Sequence, residues 1–283
     1  MIVQSRVTVG IIVAVLLSYI SINLMPIFWM LVTSLKSVGE ITSNPFGFPQ
    51  APTLANYRVV LSWTRQTVAL AFDSTPLLPP LFLTLSTGLW VVFLSLAFAL
   101  PAAYGMSRFR TGGGFLPFWF LTLLFAPPIV FAFPLFAMFQ RLRLLDSLFG
   151  LVAANLIFSI PFATWIFYST LQDAPKDFEE AAIVEGANYW VVFTRVVVPL
   201  LTPAVAAVGA LTFIFVWGEY LFSVVLLNTQ RTLTTAIAGY NTGQMVLYGA
   251  IASGVILVAI PAFIVLATFQ RYLVRGLSFG TAK

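Results

Sequence analysis

The 283-residue chain contains no cysteine and no histidine, and only three lysines, at positions 36, 176 and 283. Without cysteine there is no disulfide framework, no thiolate metal site and no cysteine nucleophile, and the redox compartment leaves no mark on the sequence. Without histidine there is no Ser-His-Asp triad, no imidazole proton relay and no ordinary zinc site. None of the lysines follows a glycine, so the phosphate-binding pattern G-x4-G-K-[ST] is absent and the chain is not its own ATPase. Charge is scarce as well, at 8% of residues where a soluble domain carries roughly a quarter. The basic residues behind the net charge of +5 are scattered singly, with no run or patch to serve nucleic acid.

What is present is apolar: 60% hydrophobic residues, 28 phenylalanines and a mean hydropathy of +0.99. Such a chain is an integral membrane protein. Crossing a hydrocarbon core takes about 20 apolar residues per helix. Six stretches qualify, at 7–35, 81–106, 115–139, 148–171, 203–227 and 247–273, which predicts an all-α fold of six transmembrane helices in one domain spanning 1–283. The first stretch is longer than a signal peptide and no small-x-small site follows it, so it is expected to stay as a helix. Pro26, Pro101, Pro127, Pro128, Pro134, Pro161 and Pro261 fall inside these stretches, where each is expected to bend its helix and free backbone carbonyls.

Orientation follows from Lys and Arg in the loops. One side would hold Arg6, Arg108, Arg110, Lys176, Arg195, Arg271, Arg275 and Lys283, eight residues; the other would hold six, Lys36, Arg58, Arg65, Arg141, Arg143 and Arg231. The bias puts both termini and the segment 173–199 in the cytoplasm, although Arg141 and Arg143 in the short loop 140–147 oppose it. The longest loop, 36–80, falls outside and carries turn signals at Asn44-Pro45, Gly47 and Pro49, as a small external cap would.

Six of the 23 charged residues crowd between Asp173 and Glu185. Pro175 suits the first turn of a helix, and Asp177, Glu179 and Glu180 lie where the positive helix end favours carboxylates. Gly186 can take the left-handed conformation that ends such a helix, Asn188 can cap a second short helix, and Pro199 is expected to close it. The prediction is a helix-turn-helix outside the bilayer, with Ala181-Ala182 leaving one face open to close approach. A plain solvated connector is the alternative, but a connector need not be thirty residues long or carry ordered helix signals.

Glu180-Ala181-Ala182, three residues, Gly186, nine residues, Val196-x-Val198-Pro199 resembles the EAA-x3-G-x9-I-x-L-P signature of permease subunits of bacterial ATP-binding-cassette importers, with Val for both Ile and Leu. The resemblance runs over nearly the whole chain to the carbohydrate-type permeases, through "SLKSVGEI" (34–41), "NY" (56–57), "AAYGMSRFR" (102–110), "FPLFAMFQRLRLLDS" (133–147), "WGEYLF" (217–222) and "RYLVRGLSFGTAK" (271–283). It implies the type I importer permease fold in a bacterial inner membrane, with 173–199 as a cytoplasmic coupling segment. Glu179 and Glu180 would contact polar or basic residues of an ATPase, Ala181 and Ala182 would permit close seating, Gly186 would set the turn, and residues 278–283 would be a secondary contact. It also implies no cofactor in this chain, ATP and Mg being bound by two partner ATPase subunits, and further partners in a second, non-identical permease and an external solute-binding protein, which the loop 228–244 would meet. The chain departs from the family where Gly218 stands for the usual Asn, Arg143 for the usual Gly and Asn188 for a common Ser.

For the translocation path, Glu219 is the one carboxylate inside a predicted span, and an intramembrane ionisable group must pair or face water. Its plain alternative is a structural bond within the bundle. Trp217 and Tyr220, beside it, could stack on sugar rings or simply pack. Asn155 is a further polar candidate. A sugar, oligosaccharide or polyol derivative is the substrate that the resemblance implies. An ion-gradient transporter or channel is the competing class, but such folds tend to show internal repeats and several intramembrane charges, which this sequence lacks.

Overall fold

The computed structural model describes residues 6–61, 76–241 and 246–278. Residues 62–75 of the expected cap, with Arg65, residues 242–244 of the 228–244 loop and residues 279–283 of the expected tail contact lie outside the described residues. Within them the chain is helical: α1 (Arg6–Ser34), α2 (Val38–Ser43), α3 (Ala55–Leu61), α4 (Leu78–Arg108), α5 (Phe115–Leu123), α6 (Pro128–Leu142), α7 (Leu148–Asp173), α8 (Asp177–Val184), α9 (Tyr189–Val192), a π-helical turn Phe193–Val197, α10 (Val198–Leu200), α11 (Thr202–Trp217), α12 (Leu221–Leu226), α13 (Leu233–Ala238) and α14 (Tyr248–Ser278).

Four helices, α1, α4, α7 and α14, are each long and apolar enough to cross a membrane. The count reaches six if two bent pairs are each one span: α5 with α6, bent by 91°, and Tyr189–Leu200 with α11, bent by 71°. Thus the stretch 115–139 is not one straight helix. Pro127 and Pro128 follow each other where the chain would need two backbone donors, so α5 ends near Leu123 and a new helix starts with a proline in its first turn. The stretch 203–227 is likewise interrupted, at residues 218–220. The prolines at 26, 101, 134, 161 and 261, by contrast, lie inside continuous helices.

The chain divides into two compact units, residues 1–78 with 236–260, and 79–235 with 261–283. In the first, α1 exposes nearly its whole length, and α2 and α3 are folded over its end. The residues of "SLK" and "NY" have a local purpose there. The Asn56 amide donates to the carbonyls of Ser34 (2.9 Å) and Lys36 (2.8 Å), satisfying the open end of α1, and the Ser34 hydroxyl meets that of Tyr57 at 2.8 Å. Lys36 is fully buried. Its ammonium donates to the carbonyls of Asn44 (2.9 Å) and Pro45 (3.0 Å) and lies over the Trp29 ring. Gly249 packs on Asn56 so closely that a Cβ would fall 2.4 Å from the amide oxygen.

In the second unit the core forms around α7. Toward its C-terminal end, Ala99, Ala103 and Tyr104 of α4 meet Ala163, Phe167 and Leu171 of α7 and Val192, Val197, Leu201, Ala204 and Val208 of the segment that follows α8. The alanines let helices approach closely, which is how helices associate where lipid offers no hydrophobic drive. Toward the N-terminal end of α7, Leu151 and Ala154 pack with Leu135 and Phe139 of α6 and Phe222, Leu226 and Leu227 around α12. These two clusters hold the two candidate sites.

Candidate coupling helix and transport cleft

At one end of α7, Pro175 forces the preceding Ala174 into an extended conformation, and α8 begins only at Asp177. Pro175 therefore precedes the helix and is not in its first turn. The helix ends as expected. Gly186 has φ +92°, its N–H bonds to the carbonyl of Ile183 (2.9 Å), and the N–H of Ala187 bonds to that of Ala182 (3.0 Å), the paired bonds of a left-handed glycine stop. Two residues on, the Asn188 side chain accepts the N–H of Val191 at 2.9 Å and caps α9. Pro199 does not close that second helix. It sits in α10, just past a π-helical turn whose bond from the Val198 N–H to the Phe193 carbonyl accommodates the missing donor, and the bend comes at Leu201.

The motif residues separate by face. Glu180, Ala181, Gly186 and Pro199 are exposed, together with Phe178, Val184 (87% exposed) and Trp190. Ala182 and Ala187 pack against the core. Glu179 does not look outward beside Glu180 as expected: at 5% exposure it is turned inside, three residues from Ala182 on the same face. Its Oε1 accepts from Nη2 (2.8 Å) and Nε (2.9 Å) of Arg108 at the end of α4, and the Tyr104 hydroxyl lies beside it. In the sequence Arg108 stands out only as a loop charge within "AAYGMSRFR". Its partner is 71 residues away and no local pattern joins them.

At the other end of α7, Asp146 fills a comparable post that the sequence left without a role. It has φ +55°; its own N–H bonds to the carbonyl of Leu226 (2.8 Å), and its carboxylate accepts the N–H groups of Asn228, Thr229 and Gln230, each at 3.1 Å, and the Thr229 hydroxyl. Partial burial acts to raise its pKa, but the hydrogen bonds from the Thr229 hydroxyl and from the N–H groups of Gln230, Asn228 and Thr229 outweigh it and hold the carboxyl below its ordinary value. Nearby, Gly150 must be glycine, since a Cβ there would lie 2.2 Å from the Leu144 carbonyl oxygen.

Three of the four residues expected along the path come together. Asn155, Glu219 and Tyr220 line a cleft of about 620 Å³ with Pro128, Phe158 and Phe215, and a cavity of about 750 Å³ that shares these last three opens toward Leu124, Phe162 and Leu211. Trp217 is not among them: at 5% exposure it is stacked on Phe213, with ring centroids 5.3 Å apart. Glu219 has a structural duty. Its carboxylate accepts the N–H groups of Phe222 and Ser223 and the Ser223 hydroxyl (2.8 Å), capping α12, while its carbonyl accepts the Thr234 hydroxyl (2.6 Å). This cap restarts the helix after Gly218. The Asn155 amide is also engaged, donating to the Leu151 carbonyl of its own helix.

Helices long and apolar enough to cross a membrane, around a cleft and with an exposed helical turn at one end, fit a membrane transport protein. Residues 92–279 match the binding-protein-dependent transport system inner membrane component family, and the chain belongs to it. It is the non-catalytic translocation subunit of an ATP-driven importer, and ATP is hydrolysed by partner subunits. The chain is 30% identical over 276 residues to a diacetylchitobiose uptake system permease of Streptomyces coelicolor, covering 95% of this chain and 87% of that protein. It is 29% identical over 265 residues to a trehalose transport system permease of Mycobacterium tuberculosis, with 92% of each covered. Among solved structures, a bacterial ABC transporter involved in the import of the acidic polysaccharide alginate matches with a TM-score of 0.74 at 24% identity, over 96% of this chain and 99% of that one. The shared architecture is the type I importer permease fold.

Proposed function

We propose that this chain forms half of the translocation path of a bacterial inner-membrane importer for a sugar, oligosaccharide or polyol derivative, and that α8 is the helix seated in a separate ATPase. The relatives named for diacetylchitobiose and trehalose support the substrate class. The observation that carries the coupling role is the face that α8 presents: Glu180, Ala181 and Val184 exposed on a short helix stopped by a left-handed Gly186. Ala181 on that face permits close seating, while Ala182 is turned to the core, and Glu180 offers a carboxylate to a basic partner. The partners are two ATPase subunits, which bind ATP and Mg, a second and non-identical permease, and an external binding protein; this chain binds no cofactor and no nucleic acid. ATP binding closes the ATPase pair and draws the coupling helices together, and the cleft bearing Asn155, Glu219 and Tyr220 opens outward to receive solute. Hydrolysis resets it. Both termini and 173–199 lie in the cytoplasm, in keeping with the eight basic residues against six.

The test is to tag the chain in its host, extract it in mild detergent and identify what accompanies it by mass spectrometry. Recovery of an ATPase, a second permease and a binding protein is expected, and ligand screening on that binding protein then names the substrate. Glu180→Lys or Gly186→Asp should abolish ATPase recovery with membrane insertion intact; normal assembly and transport by either would end the coupling assignment. Because the chain has no native cysteine, Val184→Cys labelled by an impermeant maleimide reports which side α8 occupies.

A further inference from the structure

We propose that Arg108 and Glu179 are the internal link that carries motion of α8 into the membrane helices, so that of the two adjacent glutamates only Glu180 is left for the ATPase and Glu179 is a positioning residue. This rests on the coupling role proposed above for α8. The guanidinium stands where three helices converge. From the end of α4 it reaches Glu179 in the first turn of α8, and its Nη1 donates to the Leu171 carbonyl (2.8 Å), with Nη2 in a longer contact to that of Ala174 (3.5 Å). A cation against the last carbonyls of α7 and a carboxylate in the first turn of α8 both agree with the helix dipoles. Nη1 also donates to the Ser107 hydroxyl (3.3 Å), which further accepts from Gln172. All five donors of the fork thus have acceptors inside the chain, and none is spare for a partner. Arg108 and Glu179 are 8% and 6% exposed at their side chains.

Burial makes this link stiff. Neither group can leave its partner without stranding an unpaired charge away from water, so a shift of α8 is passed to α4 and α7 together and is not absorbed at the junction. An ATPase contact through Glu179 would require that exchange. α4 has 31 residues, about 46 Å of helix at 1.5 Å per residue, so a displacement at Arg108 is felt at the far end of the span.

The test uses the complete importer in proteoliposomes with its binding protein and measures two quantities: affinity for the ATPase subunits, and ATP hydrolysed per solute moved. Glu179→Gln keeps the shape and an acceptor but removes the charge; it should leave ATPase affinity unchanged and raise the ATP cost per solute about ten-fold, a typical coupling free energy. Arg108→Lys, which keeps the charge but loses the fork, should move the same quantity in the same direction and serves if the first variant does not reach the membrane. Glu180→Gln should do the reverse, weakening ATPase affinity with the ATP cost of each completed import nearly normal. A strut that only stabilises the fold would change yield and thermal stability but not this ratio. The link is refuted if Glu179→Gln and Arg108→Lys transport at the normal ratio, or if Glu179→Gln loses ATPase affinity as Glu180→Gln does. If Glu180→Gln and Glu180→Lys both assemble and transport normally, the coupling role of α8 itself is what fails.

Discussion

The two ends of α7, about 39 Å apart for 26 residues, are each tied to a distant segment by one carboxylate, and the two ties are built differently. At the C-terminal end, Glu179 is buried and bonded to a cation, so the tie is all or nothing: removing either partner strands a charge away from water. At the N-terminal end, Asp146 is partly solvated and shares its oxygens among three backbone N–H groups and a hydroxyl, so any one bond is replaceable. A paired buried charge suits a part that must move without loosening. A carboxylate in a ring of neutral donors suits a turn that must hold its shape while its surface is free to meet something else.

Four changes test that contrast, in order of expected size. Arg108→Ala leaves the Glu179 carboxylate buried and unpaired and should destabilise the protein by about 3–5 kcal/mol, read as a fall in thermal unfolding temperature in detergent. Gly186→Ala puts a Cβ at φ +92° and should cost about 1–2 kcal/mol, concentrated in α8 and visible as faster local hydrogen exchange there. Asp146→Asn keeps one acceptor oxygen but loses the charge, and should cost only about 1 kcal/mol because solvent already screens the site. The folded-state pKa of Asp146 lies below its unfolded one, so its contribution is complete above the unfolded value and is lost as pH falls through the folded value. The gap in stability between wild type and Asp146→Asn should therefore close on acidification; a gap independent of pH would show that the carboxylate's charge is idle. Smallest, and opposite in sign, Arg143→Gly relieves a non-glycine residue at φ +57° and should stabilise the turn by about 0.5–1 kcal/mol. A loss there would mean that the Arg143 side chain has a role that outweighs its backbone strain.

The departure at Arg143 shows how legibility varies from residue to residue. Its resemblance-based oddity, an arginine where glycine is usual, turns out to be a left-handed helix stop borne by a side chain that dislikes it. The apolar stretches that became α1, α4, α7 and α14 were plain in the hydropathy. The break between α5 and α6 was visible only as Pro127-Pro128, indistinguishable beforehand from prolines such as Pro161 that sit quietly inside a helix. The break after Trp217 had a weaker sign still, because Glu219 read as a lone intramembrane charge and its use as a cap for α12 depends on how the chain turns at 218–220.

By itself the sequence determined what is decided within a turn or along a single helix: membrane embedding, the apolar spans, the glycine stop at 186 and the cap at Asn188. Those follow from backbone sterics and from the need to satisfy helix ends, which act over three or four residues. Only the tertiary structure decided which of two adjacent glutamates faces out, that Trp217 leaves the cleft that Asn155, Glu219 and Tyr220 share, and that Arg108 and Asp146 tie segments 71 and 82 to 84 residues away. A buried charge takes whatever partner the packed helices bring within reach, and that choice is made across space, where spacing along the chain carries no trace of it.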